Sequence, residues 1–398
     1  MVSEPHRRPP FALPRTIPLP LSQPRSTASL TTAASAAAST AAAASCAAGC
    51  ATPAPTTRPP AAPADVRAQG RMVDSHGRTI RDLRISLTDR CNFRCRYCME
   101  PDVRFAAPES LLRLDEIVRI ARTAESLGVR KIRLTGGEPT LRPDLEEIIA
   151  ALRAATGVEL AMISNGWSLS RGALRRWRLA GLDRITLSID SLREERFHWL
   201  TRSATTPADV LAAIDACLAE GMSSLKVNAV LLKGVNDDEA ADLAELARSR
   251  AIEVRFIEYM PLDSSHAWDL SKMVPAAQTR RQIEARYPLV ACDDDDPLGT
   301  ARTFRFADGA PGRVGFIAPV TAPFCGACSR LRVTADGMVR TCLFSTEEFD
   351  LRATLRSGAS DAEIAEFLVD ATWTKRAGHG ILSPEFVQPA RPMSAIGG

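Results

Sequence analysis

The sequence predicts an α/β protein: an incomplete (β/α)6 barrel of TIM-like design, followed by a smaller C-terminal α+β module. Three observations carry this. From residue 80 onward, short β-branched runs alternate with longer helical patterns, the mark of βα units on a parallel sheet. The alternation makes six such units before about residue 300. Beyond that point the predicted strands shorten and turn glycines accumulate. The expected division is residues 1–70 as an extension outside the fold, 71–300 as the partial barrel and 301–398 as the module.

Arg84–Leu87 reads as the first strand. Leu111–Leu127 carries an apolar stripe (Leu114, Ile117, Val118, Ala121, Ala124) and stops before Gly128, a C-terminal helix signal. Strand Lys131–Leu134 follows, then a helix opening at Pro143 with Asp144 in its first turn. The pattern continues through strands Glu159–Ile163, Arg184–Ile189, Leu225–Leu231 and Glu253–Ile257, separated by helices Gly172–Leu179, Ala208–Ala219 and Asp238–Arg248. In the module, Thr303–Phe306, Val314–Ile317 and Leu331–Thr334 read as strands. By analogy with complete barrels, chemistry is expected at the C-terminal strand ends.

The 45% apolar content suits a soluble globular chain, and no apolar run reaches the roughly 18 residues that cross a bilayer. No membrane span is expected. Fifty basic against 47 acidic residues leave +3, too little to grip nucleic acid globally. Residues 33–64 are Ser/Thr/Ala/Pro-rich and cannot bury enough varied apolar surface to order themselves. Glu4 is the sole acid before Asp65, with scattered arginines. That composition fits a disordered extension of a cytoplasmic bacterial protein or an organelle transit segment, and carries no secretion signal.

Cysteine is grouped. Cys91, Cys95 and Cys98 fall directly after the first strand, and three soft thiolates hold an iron–sulfur cubane while leaving one iron open. Zinc would need a fourth ligand, for which nothing nearby is better than His76. Here the chain resembles the radical S-adenosylmethionine superfamily: the C-x3-C-x2-C loop, Tyr97 before the last cysteine, and Gly136-Gly137-Glu138-Pro139 at the end of the second strand all match. The resemblance implies that the barrel is of the radical S-adenosylmethionine type. It also implies that Tyr97, Gly136, Gly137, Glu138, Ser164, Asn165, Ser188 and Asp190 hold S-adenosylmethionine, which one-electron reduction cleaves to methionine and a 5′-deoxyadenosyl radical. The two glycines are expected to let backbone approach the ligand closely.

Cys325, Cys328 and Cys342 form a second set, whose spacing admits either a second cluster or a four-cysteine zinc site completed by Cys292. Arg330 and Arg332, alternating on one strand, share a face and suit a polyphosphate or purine. From about Val73 to Gly398 the chain is similar to the GTP 3′,8-cyclase family of molybdenum cofactor biosynthesis, in its two triplets, Thr88-Asp89-Arg90, Ser329-Arg330-Leu331-Arg332 and the final Gly-Gly. Met99-Glu100-Pro101 departs from that family's usual Met-Pro. The family resemblance implies two [4Fe–4S] clusters, on Cys91, Cys95 and Cys98 and on Cys325, Cys328 and Cys342. It implies GTP as substrate, gripped by Arg84, Lys131, Arg133, Lys226, Arg330 and Arg332, with Arg84, Arg330, Arg332, Gly397 and Gly398 serving catalysis. A homodimer, an external electron donor and a downstream cyclic pyranopterin monophosphate synthase are the implied partners. The alternative is another two-cluster enzyme of the superfamily, such as a peptide-modifying maturase. No Walker-type phosphate loop is present.

Overall fold

The computed structural model describes residues 57–222, 224–263, 266–293 and 296–397. Gly398 and residues 1–56 lie outside the described residues, so the expectations for them have no counterpart here.

Six barrel strands form where alternation was expected: β1 (Asp82–Thr88), β2 (Lys131–Gly136), β3 (Glu159–Ser164), β4 (Arg184–Ser188), β5 (Lys226–Leu231) and β6 (Glu253–Glu258). Six more follow: β7 (Leu289–Ala291), β8 (Arg302–Phe306), β9 (Arg313–Ile317), β10 (Arg330–Val333), β11 (Met338–Arg340) and β12 (Phe349–Asp350). Period-two alternation decides the faces: Leu83, Ile85 and Leu87 are fully buried, while Arg84 between them lines the interior cavity.

All twelve strands among the described residues share one sheet, ordered β12-β11-β10-β1-β2-β3-β4-β5-β6-β9-β8-β7. The six barrel strands run parallel, and the module adds β10 parallel to β1 and β9 parallel to β6. Antiparallel pairs continue beyond both. The C-terminal module therefore widens the partial barrel on both margins. Because β9 and β10 are consecutive in sequence but flank opposite edges, their connection runs from one edge of the arc to the other.

Local signals set the helices. Leu114–Ser126 begins where the Glu116 carboxylate takes back the Arg113 N–H at 2.8 Å, Pro207–Ala219 begins at the capping box Thr206/Asp209, and Arg171–Ala180 is capped by Ser170 and ended by Gly181 at φ 114°. The helix expected from Pro143 starts at Leu145, since the Asp144 carboxylate is drawn back onto Arg142 at 2.7 Å. Residues 57–70, assigned from sequence to the outlying extension, belong partly to the fold: the helix Ala64–Ala68 docks on the helix Asp361–Trp373. The buried Asp370 carboxylate takes the Ala62 N–H at 2.9 Å and Arg67 Nε at 2.8 Å, and Val66 supplies apolar contact. Among the described residues no helix is long and apolar enough to cross a membrane.

Candidate active site

One cavity at the C-terminal strand ends is lined by all six cysteines of the two triplets. Its walls come from strands on both sides of the arc, so residues far apart in sequence meet in it.

The first triplet sits in a loop held from three sides. Arg94 N and Arg96 N donate to the Thr201 and Leu200 carbonyls at 2.8 and 2.9 Å, anchoring the loop to the end of the helix Glu194–Thr201, which the sequence did not signal. Tyr97 Oη donates to Asp190 Oδ2 at 2.7 Å, and Asp190 Oδ1 accepts from Val230 N at 2.8 Å, tying the loop to the ends of β4 and β5. Burial raises Asp190 to about 6 against both hydrogen bonds. On the third side, Gly137 N donates to the Thr88 carbonyl and Glu138 N to that of Arg90, each at 2.8 Å.

That third contact gives the two glycines a role within the chain itself. A Cβ on Gly136 would lie 2.1 Å from the Thr88 carbonyl oxygen, and one on Gly137 2.2 Å from that of Arg90. Both glycines thus come close to the chain's own backbone at the root of the cysteine loop while lining the cavity. Gly136 also sits at φ 137°, open to glycine. Glu138 is buried and takes Ser164 Oγ at 2.9 Å, Asn165 N at 2.7 Å and Thr140 Oγ1 at 2.7 Å, so it locks the β2 loop to the end of β3. Burial raises its pKa and those donors pull it back. Asn165 Nδ2 donates to Asn92 Oδ1 at 2.8 Å, and Ser188 lines the cavity.

The second triplet hangs on the β9–β10 connection, Cys325 opening a short 3-10 turn, with Cys342 just after β11. Burial would raise Cys328, but Arg330 and Lys375 outweigh it and hold the thiol down to about 6. In the first triplet burial prevails: Cys91 is pushed up to about 11 and Cys98 to about 12, with Cys95 higher than its ordinary value. Buried thiols of that kind ionise when a metal centre takes their charge. Two soft three-thiol sets in a shared cavity therefore fit iron–sulfur clusters. Among the described residues no three His, Cys, Asp or Glu side chains converge on a point for a single ion, and Cys292 is buried off the cavity lining. Cys292 thus stands apart from the cavity that Cys325, Cys328 and Cys342 line.

Between the two thiol sets runs a row of guanidiniums. Register pairs Arg332 with Arg84 across β10–β1 and Arg84 with Arg133 across β1–β2. Arg330 lines the same wall, its guanidinium 4.7 Å from the Phe324 ring centre. Among the described residues none of these four is ion-paired with a carboxylate. Burial, then Arg332, Arg133 and Arg330, pull Arg84 well below its ordinary value; burial lowers Arg133 to about 10, and burial with Arg330 lowers Arg332 to about 9. Lys131 and Lys226 do not line the cavity. They occupy a floor of ion pairs beneath it, Lys131 with Glu159 and Lys226 with Glu253, each at 3.2 Å, because they stand at the N-terminal ends of their strands. Arg184 reaches the same Glu159 at 2.5 Å.

The tail enters this site. Helix Met393–Ile396 places Ser394 in the cavity wall, and Arg332 Nη1 donates to the Gly397 carbonyl. A Cβ on Gly397 would lie 2.3 Å from Ser86 Oγ, at φ 78°. The sequence reading missed Arg255, Met260, Lys375 and His379, which also line the cavity. Arg255 was discoverable, as it alternates with Glu253 inside β6 just as Arg133 does with Lys131 inside β2.

A model of the Radical SAM superfamily matches residues 85–247, and one described as Molybdenum Cofactor Synthesis C matches residues 252–381. GTP 3′,8-cyclase of Streptomyces coelicolor is 49% identical over 331 residues, 82% of this chain and 96% of the relative. The enzymes of that name from Paenarthrobacter nicotinovorans and Mycolicibacterium smegmatis are each 44% identical over 345 residues, spanning 82% and 85% of this chain and 97% and 93% of the relatives. Among solved structures, Streptococcus suis SuiB superposes with a TM-score of 0.52 at 16% identity, over 77% of this chain and 69% of that one, which is a likeness of fold.

Proposed function

The chain belongs to the GTP 3′,8-cyclase family, and from that premise we propose that its cavity holds one GTP between the two thiol sets and joins ribose C3′ to purine C8. Cys91, Cys95 and Cys98 would hold one [4Fe–4S] cluster with S-adenosylmethionine beside it, and Cys325, Cys328 and Cys342 a second that docks the guanine. When bound, the first cluster and S-adenosylmethionine supply the 5′-deoxyadenosyl radical that takes hydrogen from C3′.

What this chain's residues do is fix geometry. A bond made within a single nucleotide demands that both its ends be immobilised. The observation that carries the reading is the row Arg332–Arg84–Arg133. Like charges at one level, with Arg332 buried and Arg84 and Arg133 half-buried, are costly unless an anion meets them, and a triphosphate answers that demand. A peptide without acidic side chains would not. Glu138 and the Tyr97–Asp190 hydrogen bond hold the cofactor-facing loops rigid, and the Gly397 carbonyl orients Arg332.

The product, 3′,8-cyclo-7,8-dihydroguanosine triphosphate, passes to a synthase of cyclic pyranopterin monophosphate. An external donor supplies the electrons, and the enzyme works as a homodimer in the cytoplasm. The test is anaerobic reconstitution with iron and sulfide, incubation with reductant, S-adenosylmethionine and GTP, and mass analysis of the nucleotide. GTP-dependent 5′-deoxyadenosine without a cyclised nucleotide refutes the proposal.

A further inference from the structure

The second thiol set is held in place by two buried cations that belong to neither triplet. Arg78 lies in a hairpin before β1, where Val73 bridges Thr79. Asp74 Oδ1 accepts the backbone N–H of His76 and of Arg78, both at 2.9 Å, which stiffens that turn. The Arg78 guanidinium, 8% exposed beside a fully buried Asp74, spends its donors on four acceptors. Nε meets Asp74 Oδ2 at 2.6 Å, Nη1 the carbonyls of Cys325 at 2.7 Å and Ala377 at 2.9 Å, and Nη2 that of Arg376 at 2.6 Å. The same stretch grips the far side of the turn, since Arg81 N and Asp82 N both donate to the Ser329 carbonyl, at 2.9 and 3.0 Å.

Lys375 completes the arrangement. Its ammonium is buried and donates to the Arg330 carbonyl at 3.0 Å and to the Thr341 carbonyl, next to Cys342. Chain continuity links the two cations, because Arg78 holds the carbonyls of the two residues that follow Lys375. Cys325 is thus fixed through its own carbonyl, and Cys328 and Cys342 through neighbouring ones. Resting on the reading that this triplet carries a cluster, we propose that Arg78 and Lys375 are positioning residues for the second cluster. Arg78 acts through its planar fork, whose four directed contacts an ammonium cannot reproduce. Lys375 acts by joining the backbone just after Cys328 to the backbone just before Cys342.

Full-length protein is reconstituted anaerobically and assayed for iron per chain, for the change in the electron paramagnetic resonance spectrum on adding GTP, and for 5′-deoxyadenosine release without GTP. Two cubanes give about eight iron atoms and one gives about four. A chain with Cys325→Ala, Cys328→Ala and Cys342→Ala together sets the one-cluster benchmark. Arg78→Met is expected to fall to that benchmark, to lose the GTP-induced spectral change and to keep its 5′-deoxyadenosine release. Arg78→Lys is expected not to restore the second cluster, and Lys375→Met to lose iron toward the same level. Arg78→Met at full iron with an unaltered GTP response overturns the proposal, as does loss of iron from both sets alike. Arg78→Lys at full iron overturns the fork argument. Wild-type protein holding only about four iron atoms overturns the two-cluster reading and this inference with it.

Discussion

Gly137→Ala puts one methyl group against the root of the first cysteine loop. Its Cβ would stand 2.2 Å from the Arg90 carbonyl oxygen, and ordinary contact begins near 3.4 Å, so that carbonyl must retreat by about 1.2 Å. The retreat breaks the 2.8 Å hydrogen bond from Glu138 N to the Arg90 carbonyl. With its groups left partly unsatisfied, this costs about 1–3 kcal/mol of stability. Cys91 is the next residue after Arg90 and moves with it. A misplacement of about 1 Å at a reacting centre costs on the order of 100-fold in rate. The assay is anaerobic 5′-deoxyadenosine formation normalised to iron content, with thermal unfolding of the same samples. A G137A enzyme that melts with wild type and cleaves S-adenosylmethionine at the wild-type rate would show that the glycine contact does not set the loop.

Three further outcomes follow from the cavity, its floor and the tail. Arg84→Ala relieves repulsion among Arg332, Arg133 and Arg330, so the ligand-free protein should melt no lower than wild type, while loss of a charge-assisted contact of about 1.5–3 kcal/mol weakens GTP binding roughly 10–150-fold; calorimetry and GTP titration read the two effects. Gly397→Ala collides with Ser86 Oγ and shifts the Arg332 partner, so cyclisation should fall at least tenfold with iron content unchanged, and removal of Gly397 and Gly398 should abolish it. Burial, with Arg255, pushes Lys226 down to about 8 against Glu253, so between there and its ordinary value of 10.5 the unfolded chain binds the extra proton. The stability of wild type relative to Lys226→Gln should therefore be level below pH 8 and climb in wild type's favour above it, as measured by denaturant titration across pH.

The strands were legible because alternation in a barrel is a local property: β1 to β6 appear within two residues of where the sequence put them. Both triplets and the alternate arginines were legible for the same reason, since each is a short-range spacing. Long-range pairing was not. Nothing in periodicity says that β9 and β10, neighbours in the chain, should flank opposite edges of one sheet. The helix Glu194–Thr201 escaped because it offers only Phe197 and Leu200 as buried apolar positions, too few for a stripe, yet its last carbonyls hold the cysteine loop. Lys131 and Lys226 carried the right charge on the right face, but their height along the strand decided their partners, and height is set by register. Residues 57–70 read as tail because composition does not reveal a carboxylate waiting on a distant helix.

Since β9 and β10 brace the two margins of the six-stranded arc, a gene divided near residue 300 would not yield two independent proteins. The front piece would keep every strand of the arc but leave β1 and β6 with raw, unpaired borders, the kind of template on which sheets stick to one another. The rear piece would have no sheet to join. Heredity can exchange the outer decorations of such a molecule, but the two halves must be inherited together.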